Sequence, residues 1–368
     1  MSSSKSRKRS YTLIIFATSI SLLFLVDNLF GYAILKHVSI SSRNNAERGI
    51  RIGHPVYHHT LSASYDGLAR NLTEYRFCTN SDGLKSKCGE ANSAKEIDIG
   101  FLGDSFTEGL GLPYEKTFVG LIADNLPHKK IANLGVVSYA PTIYLLKLKD
   151  FLDKGYRFKE LVVYIDISDI QDEANYAIVD GKVVETIEDT SKHRRFPVAH
   201  FGYKGLRDRL GNEFEFFKRK EDVHEDQLNL GDPVYRRDYS RSAWTYNSSI
   251  GGYGKLAVNG SIGKSVAMME KIYELCKANG IKLSIAVYPW PGQILYDVEE
   301  SRQVKIWRDF CDGKCANFYN SFPTFFGLIR SSSKRAVIES NYFHGEMHFN
   351  EHGNHLIAMD FLKIHRED

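Results

Sequence analysis

Residues 97–109 read Ile-Asp-Ile-Gly-Phe-Leu-Gly-Asp-Ser-Phe-Thr-Glu-Gly, an apolar strand that runs straight into Gly103, Asp104 and Ser105. A serine at the C-terminal end of a buried strand is where an α/β fold exposes a nucleophile. The glycine before it permits a tight turn, and a helix that follows turns its N-terminal amides toward the serine. Taken alone the triplet is weak, because serine after glycine usually just makes a turn.

Near the other end stands Glu346-Met347-His348-Phe349-Asn350-Glu351-His352-Gly353, a histidine with a carboxylate two residues before it. The two blocks together resemble the SGNH/GDSL hydrolase family. Its first block, Gly-Asp-Ser-x-Thr-x-Gly, is matched from Gly103 to Gly109 without a gap. Its last block, an acid, a histidine, then Asn and Gly, is matched by Glu346, His348, Asn350 and Gly353. The resemblance covers roughly residues 95–173 and 280–365.

The resemblance implies an ester-acting serine enzyme without cofactor or metal. Ser105 is the nucleophile, His348 the base that takes its proton, and Glu346 the acid that orients the histidine. The family more often places aspartate three residues before the histidine, where Gly345 stands. The oxyanion donors it implies are the amide of Ser105, the amide of Gly135 (in Asn133-Leu134-Gly135) and a group after the third strand. That third block is usually Gly-x-Asn-Asp; here it reads Asp166-Ile167-Ser168-Asp169, so a Ser168 hydroxyl replaces an amide. The alternative is that Asp166 and Ser168 merely cap the strand end. Tyr288 and Trp290, in Val-Tyr-Pro-Trp-Pro at a strand end, are candidates for a sugar-stacking wall, with packing as the alternative.

His348 to His352 also spells His-x-x-Glu-His, a zinc motif of inverted metallopeptidases, which needs both histidines on one continuous helix. Gly353 and the loop character of residues 346–350 argue against it, and it leaves residues 103–109 unexplained.

The chain of 368 residues carries a net charge of +3 and no nucleic-acid motif. Basic clusters at 192–195 and 236–237 read as solvated loop charge rather than a polyanion site. The N-terminus says more. Lys5, Arg7, Lys8 and Arg9 precede a run that is almost wholly apolar over residues 11–26 and resumes at 29–35. About 20 apolar residues cross a bilayer, and a basic flank holds the N-terminus in the cytoplasm. The expectation is therefore a cytoplasmic tail (1–10), an uncleaved signal anchor (11–35), and a body in the periplasm or cell exterior. A cleaved signal peptide is the alternative. Five cysteines suit that destination, with Cys78–Cys88 and Cys311–Cys315 as plausible local disulfides and Cys276 left over.

Strand patterns at 97–102, 131–136, 161–167 and 281–288, the last two mostly apolar runs, alternate with helical patterns at 114–126, 141–152 and 265–278. That alternation argues for a three-layer α/β/α sandwich with a mostly parallel central sheet. Residues 36–92 read as a stalk and N-terminal segment, and 93–368 as the hydrolase-like domain. Between about 173 and 262 the alternation disappears, which marks an insertion. Gly260 to Ser265 is two residues short of a phosphate loop, with no strand leading into it.

A tethered esterase outside the cytoplasm meets glycans first. The expected substrate is an O-acyl, above all O-acetyl, group on a cell-surface polysaccharide. The same triad serves an O-acyltransferase, and an altered oxyanion hole also fits a non-catalytic glycan-binding component.

Overall fold

A computed structural model describes residues 49–90, 94–186, 241–247 and 249–365, with helical residues 11, 14–16, 18–27 and 29 near the N-terminus. They fall in two compact units. The described residues from 49 onward belong to one, and the helical residues near the N-terminus to the other. Both basic clusters and most of the predicted insertion lie outside the described residues.

In the larger unit two antiparallel hairpins come first: β1 (Arg51–His54) with β2 (His58–Leu61), and β3 (Asp66–Arg70) with β4 (Glu74–Cys78). The predicted stalk is therefore wrong for residues 49–61. Ile50, Tyr57 and Leu61 are buried there, so the segment is part of the core. Cys78 and Cys88 form a disulfide just after β4.

The central sheet holds β5 (Glu96–Leu102), β6 (Ile131–Asn133), β7 (Arg157–Tyr164), β10 (Lys282–Val287) and β11 (Phe318–Asn320) in the order β11-β10-β7-β5-β6. Every neighbouring pair is parallel. The small hairpin β8 (Tyr176–Val179) and β9 (Lys182–Glu185) stands apart from it. Strands buried on both faces explain the mostly apolar runs, since a parallel sheet flanked by helices shows no solvent face.

The helices are α1 (Ser105–Glu108), α2 (Phe118–Asn125), α3 (Pro141–Asp153), α4 (Asp169–Glu173), α5 (Ala257–Ala278), α6 (Pro291–Tyr296), α7 (Arg302–Cys311), α8 (Phe322–Arg330), α9 (Lys334–Asn341) and α10 (Glu351–Ile364). α2 packs on α10, and rings of both, Phe118 and Phe361, close on Phe101 of β5. α3 packs on α5. Cys311 and Cys315 form the second disulfide, and Cys276 is buried and free.

α5 starts earlier than its periodicity suggests, so Gly260, Gly263 and Lys264 are helical. Lys264 donates to the carbonyls of Glu173 and Tyr176, which ties α5 to the end of α4. Numbered by position in the sheet alone, the strands run 2-1-3-4-5, and the chain reverses direction between β5 and β7. Ligands in open α/β sheets collect at the strand C-termini beside such a reversal.

Near the N-terminus, Ile14, Phe16, Leu22, Leu23, Leu25 and Leu29 are helical and exposed. Among the described residues no helix is long and apolar enough to cross a membrane.

Candidate active site

β5 ends at Leu102, and the turn that follows is built from small and capping residues. Asp104 is the N-cap of α1: its Oδ1 accepts from the amide of Phe106 at 3.0 Å. Gly103 is required by close approach rather than by a turn angle. A Cβ there would lie 2.1 Å from Thr107 Oγ1 and 3.0 Å from the Tyr164 carbonyl. Ser105 opens α1, and its amide finds no acceptor among the described residues.

His348 reaches this serine from 243 residues further along the chain. Its Nε2 lies 2.8 Å from Ser105 Oγ, and both residues are buried but for a small exposed fraction. The loop that carries it is fixed from both sides. Phe343 donates its amide to the His348 carbonyl at 3.0 Å, and Tyr342 and Phe349 form a β-bridge. Asn350 then N-caps α10, accepting from His352 and Gly353. Beneath the imidazole lies the Phe106 ring, 4.7 Å away between centroids.

Glu346 stands where an orienting acid is needed. Its Oε1 is 3.4 Å from His348 Nδ1, an ion-pair distance, and also accepts from the Met347 amide at 2.9 Å. Nδ1 itself has no hydrogen bond of good geometry, so the acid faces the ring without a tight bond.

The two histidines of the His-x-x-Glu-His string are not on one helix. His348 precedes the cap of α10, whereas His352 lies within it, with Nδ1 2.7 Å from Asn341 Oδ1.

Gly135 and Ser168 follow the C-termini of β6 and β7, the two neighbours of β5, so all three candidate donors sit at one end of the sheet. Their states differ. The Gly135 amide donates to Asn133 Oδ1 at 2.9 Å. Its absent side chain has a clear reason: a Cβ would sit 2.6 Å from the Glu108 amide nitrogen and 2.7 Å from Thr107 Cβ. The Ser168 amide donates to Asp166 Oδ1 at 2.7 Å, while its hydroxyl makes no capping bond. Asp166 is thus a strand-end cap, and the Ser168 hydroxyl has no hydrogen-bond partner among the described residues.

The proposed sugar wall is corrected. Tyr288 and Trp290 are buried to 1% exposure or less and offer no ring face to a sugar. They pack under Phe106 at 4.9 and 5.7 Å, and Trp290 Nε1 donates to Asp166 Oδ2 at 2.6 Å. Their position at a strand end was legible; their burial depends on Phe106, far away in sequence.

Sequence reasoning missed what lies behind the nucleophile. Ser105 Oγ is also 3.2 Å from Asp104 Oδ2. Asp104, Asp166 and Asp169 form a buried cluster whose carboxylate oxygens lie within 4.8 Å of one another. Burial first, and then the neighbouring acids, push the Asp104 and Asp169 carboxyls well above the usual range. Arg241, paired with Asp172 at 2.6 Å and 5.8 Å from the Trp290 ring, faces the cluster. The signal available was Asp104 itself, in a motif read only for its serine.

A cavity of about 720 Å³ opens beside the histidine loop, walled by Thr73–Arg76, Gly111–Pro113, Glu115, Lys116, Phe343 and Asn350–His352. Neither Ser105 nor His348 lines it.

No family model matches this chain, and no curated protein does. Solved structures do. A lipolytic protein of the G-D-S-L family from Veillonella parvula is 13% identical over 73% of this chain and 97% of its own, with a TM-score of 0.39. An acetylxylan esterase from Geobacillus stearothermophilus is 9% identical over 74% and 94%, at 0.41. An esterase from a Pseudoalteromonas species is 11% identical over 74% and 96%, at 0.36. Likeness this distant assigns no activity. The chain is similar to G-D-S-L proteins in its motifs, and the reading of its chemistry rests on its own residues.

Proposed function

We propose that this chain is a serine esterase of SGNH/GDSL type. The observation that carries the reading is the 2.8 Å contact between Ser105 Oγ and His348 Nε2. A serine hydroxyl is a poor nucleophile until a base within hydrogen-bond reach takes its proton. In the reaction Oγ attacks the ester carbonyl and His348 accepts the proton. Glu346 steadies the imidazolium from the Nδ1 side. The Ser105 amide and the Ser168 hydroxyl receive the developing oxyanion. His348 then returns the proton to the leaving alcohol, and water releases the acyl group by the same steps.

The proposed substrate is an O-acetyl ester on a cell-surface polysaccharide, and the proposed location is outside the cytoplasm, on an N-terminal anchor. Three features support this: the basic residues before an apolar run, the exposed apolar side chains of its described helical residues, and two disulfides in the folded unit. With Tyr288 and Trp290 buried, aromatic stacking gives the glycan no support.

Acetate release from an O-acetylated polysaccharide by purified protein tests the reading. Release lost in Ser105→Ala supports the esterase. Movement of acetyl to an acceptor sugar without free acetate marks a transferase, and binding without either marks a non-catalytic component.

A further inference from the structure

Ser105 Oγ has two neighbours that compete for its proton: His348 Nε2 at 2.8 Å and Asp104 Oδ2 at 3.2 Å. An ionised Asp104 can only accept, so it draws the hydroxyl proton away from the base. Once that proton has left, an ionised carboxylate also faces the negative charge growing on Oγ. A neutral Asp104 does the opposite, because its Oδ2–H donates to Oγ and leaves the serine proton directed at His348. We propose that Asp104 is a positioning residue that works in its protonated form, holding the nucleophile by donating to it.

The packing around Asp104 favours that form. Three buried carboxylates within 4.8 Å cannot all be ionised at ordinary cost. Asp166 receives two donors, the Ser168 amide and the Trp290 indole, which suit a carboxylate. Asp169 receives Tyr144 Oη at 2.8 Å and the Asp166 amide at 3.2 Å on Oδ2, while its Oδ1 is buried with no partner. On Asp104, Oδ1 caps Phe106, and Ser105 is the neighbour of Oδ2. Asp166 and Asp172 disfavour charge on Asp104, whereas Arg241 favours it. The buried Tyr288 hydroxyl, pushed above its ordinary range, stays neutral beside the cluster. Asp104 keeps its proton throughout; the one that moves is the serine's, to Nε2.

The proposal rests on Ser105 being the nucleophile, so its test has one arm that needs no activity. A difference infrared spectrum of the full chain against Asp104→Asn at pH 7 is expected to show a carboxylic acid C=O band lost with Asp104. Absence of that band overturns the proposal whatever the activity. The second arm is the rate at which a fluorophosphonate labels Ser105 as a function of pH. Wild type is expected to lose rate as Asp104 ionises at high pH. Asp104→Asn keeps both the cap and the donor; it is expected to lack that decline and to label roughly tenfold or more faster than Asp104→Ala. Arg241→Met removes a cation that favours ionisation, so the decline moves to higher pH. Asparagine no better than alanine, or a decline that moves to lower pH in Arg241→Met, overturns the positioning role. Absence of labelling in folded wild type overturns the nucleophile reading and the positioning role with it, while the infrared band still decides whether Asp104 holds a proton.

Discussion

The two sides of Ser105 were built by different rules. On one side stand the turn that carries the serine and the loop that carries His348. Each is a short contiguous stretch whose residues act where they stand in sequence. On the other side stand Asp166, Ser168, Asp169, Tyr288 and Trp290, whose roles are set by neighbours from other elements. Trp290 is a donor to a buried carboxylate because Asp166 lies above it, not because it follows a strand. Local patterns read well where chemistry and backbone come from one segment, and poorly where burial is decided by packing across the sheet.

The largest effect tests the first side. Ser105→Ala and His348→Ala are each expected to lower turnover of an activated acetyl ester by about a thousandfold or more. Circular dichroism of the same samples checks that the fold is intact. A His348→Ala variant within a few-fold of wild type would break the pairing on which everything else is built.

The next effect tests the second side. The Ser168 hydroxyl has no hydrogen-bond partner among the described residues, and one lost oxyanion donor costs roughly 10²–10³ in kcat in related chemistry. Ser168→Ala is expected to lower kcat toward that range with KM and melting temperature nearly unchanged, because the donor acts on charge present only in the transition state. A lowered melting temperature with the rate per folded molecule intact would make Ser168 a cap like its neighbour Asp166.

Glu346→Gln is expected to cost less, on the order of tenfold, since a carboxylate 3.4 Å from Nδ1 orients the ring without a tight bond. A silent Glu346→Gln alongside another essential carboxylate would move the orienting role elsewhere.

Smaller still, and on stability rather than rate, is Trp290→Phe. Loss of a hydrogen bond to a carboxylate is expected to cost about 1–3 kcal/mol in denaturant unfolding, with KM for an acetylated glycan unchanged. Weaker glycan affinity at undiminished stability would restore the sugar wall that burial removes.

A separate effect, on the pH dependence of stability, concerns the support beneath the serine's turn. Lys85 is buried, donates to the Gly109 and Leu112 carbonyls, and is pulled down by burial to about 7; Lys147 behaves alike. Between pH 7 and 10.5 the unfolded chain binds more protons at these lysines, so their contribution to stability rises with pH there and falls as pH drops toward 7. Melting temperature against pH is expected to flatten over that window in Lys85→Met. An unaltered slope would show that this lysine titrates normally.

Much of the sheet was legible because four of its strands read as mostly apolar segments between helical patterns. β11 was not, because three residues with intermediate ends carry no pattern. The 49–61 hairpin was hidden by histidines, glycines and a proline that look like linker, although Tyr57 and Leu61 are core. At the site, Ser105, His348 and Glu346 were legible from two motifs. The commitment of the Gly135 amide to Asn133 was not, since it depends on a side-chain rotamer rather than a residue type. Nor was the acid cluster, which assembles from two strand ends.

The most direct test of the central claim is a fluorophosphonate adduct mapped to its residue by peptide mass spectrometry. A single adduct on Ser105 is expected, absent in Ser105→Ala and formed far more slowly in His348→Ala. Folded wild-type protein with no adduct, or an adduct that persists at another residue in Ser105→Ala, would contradict it.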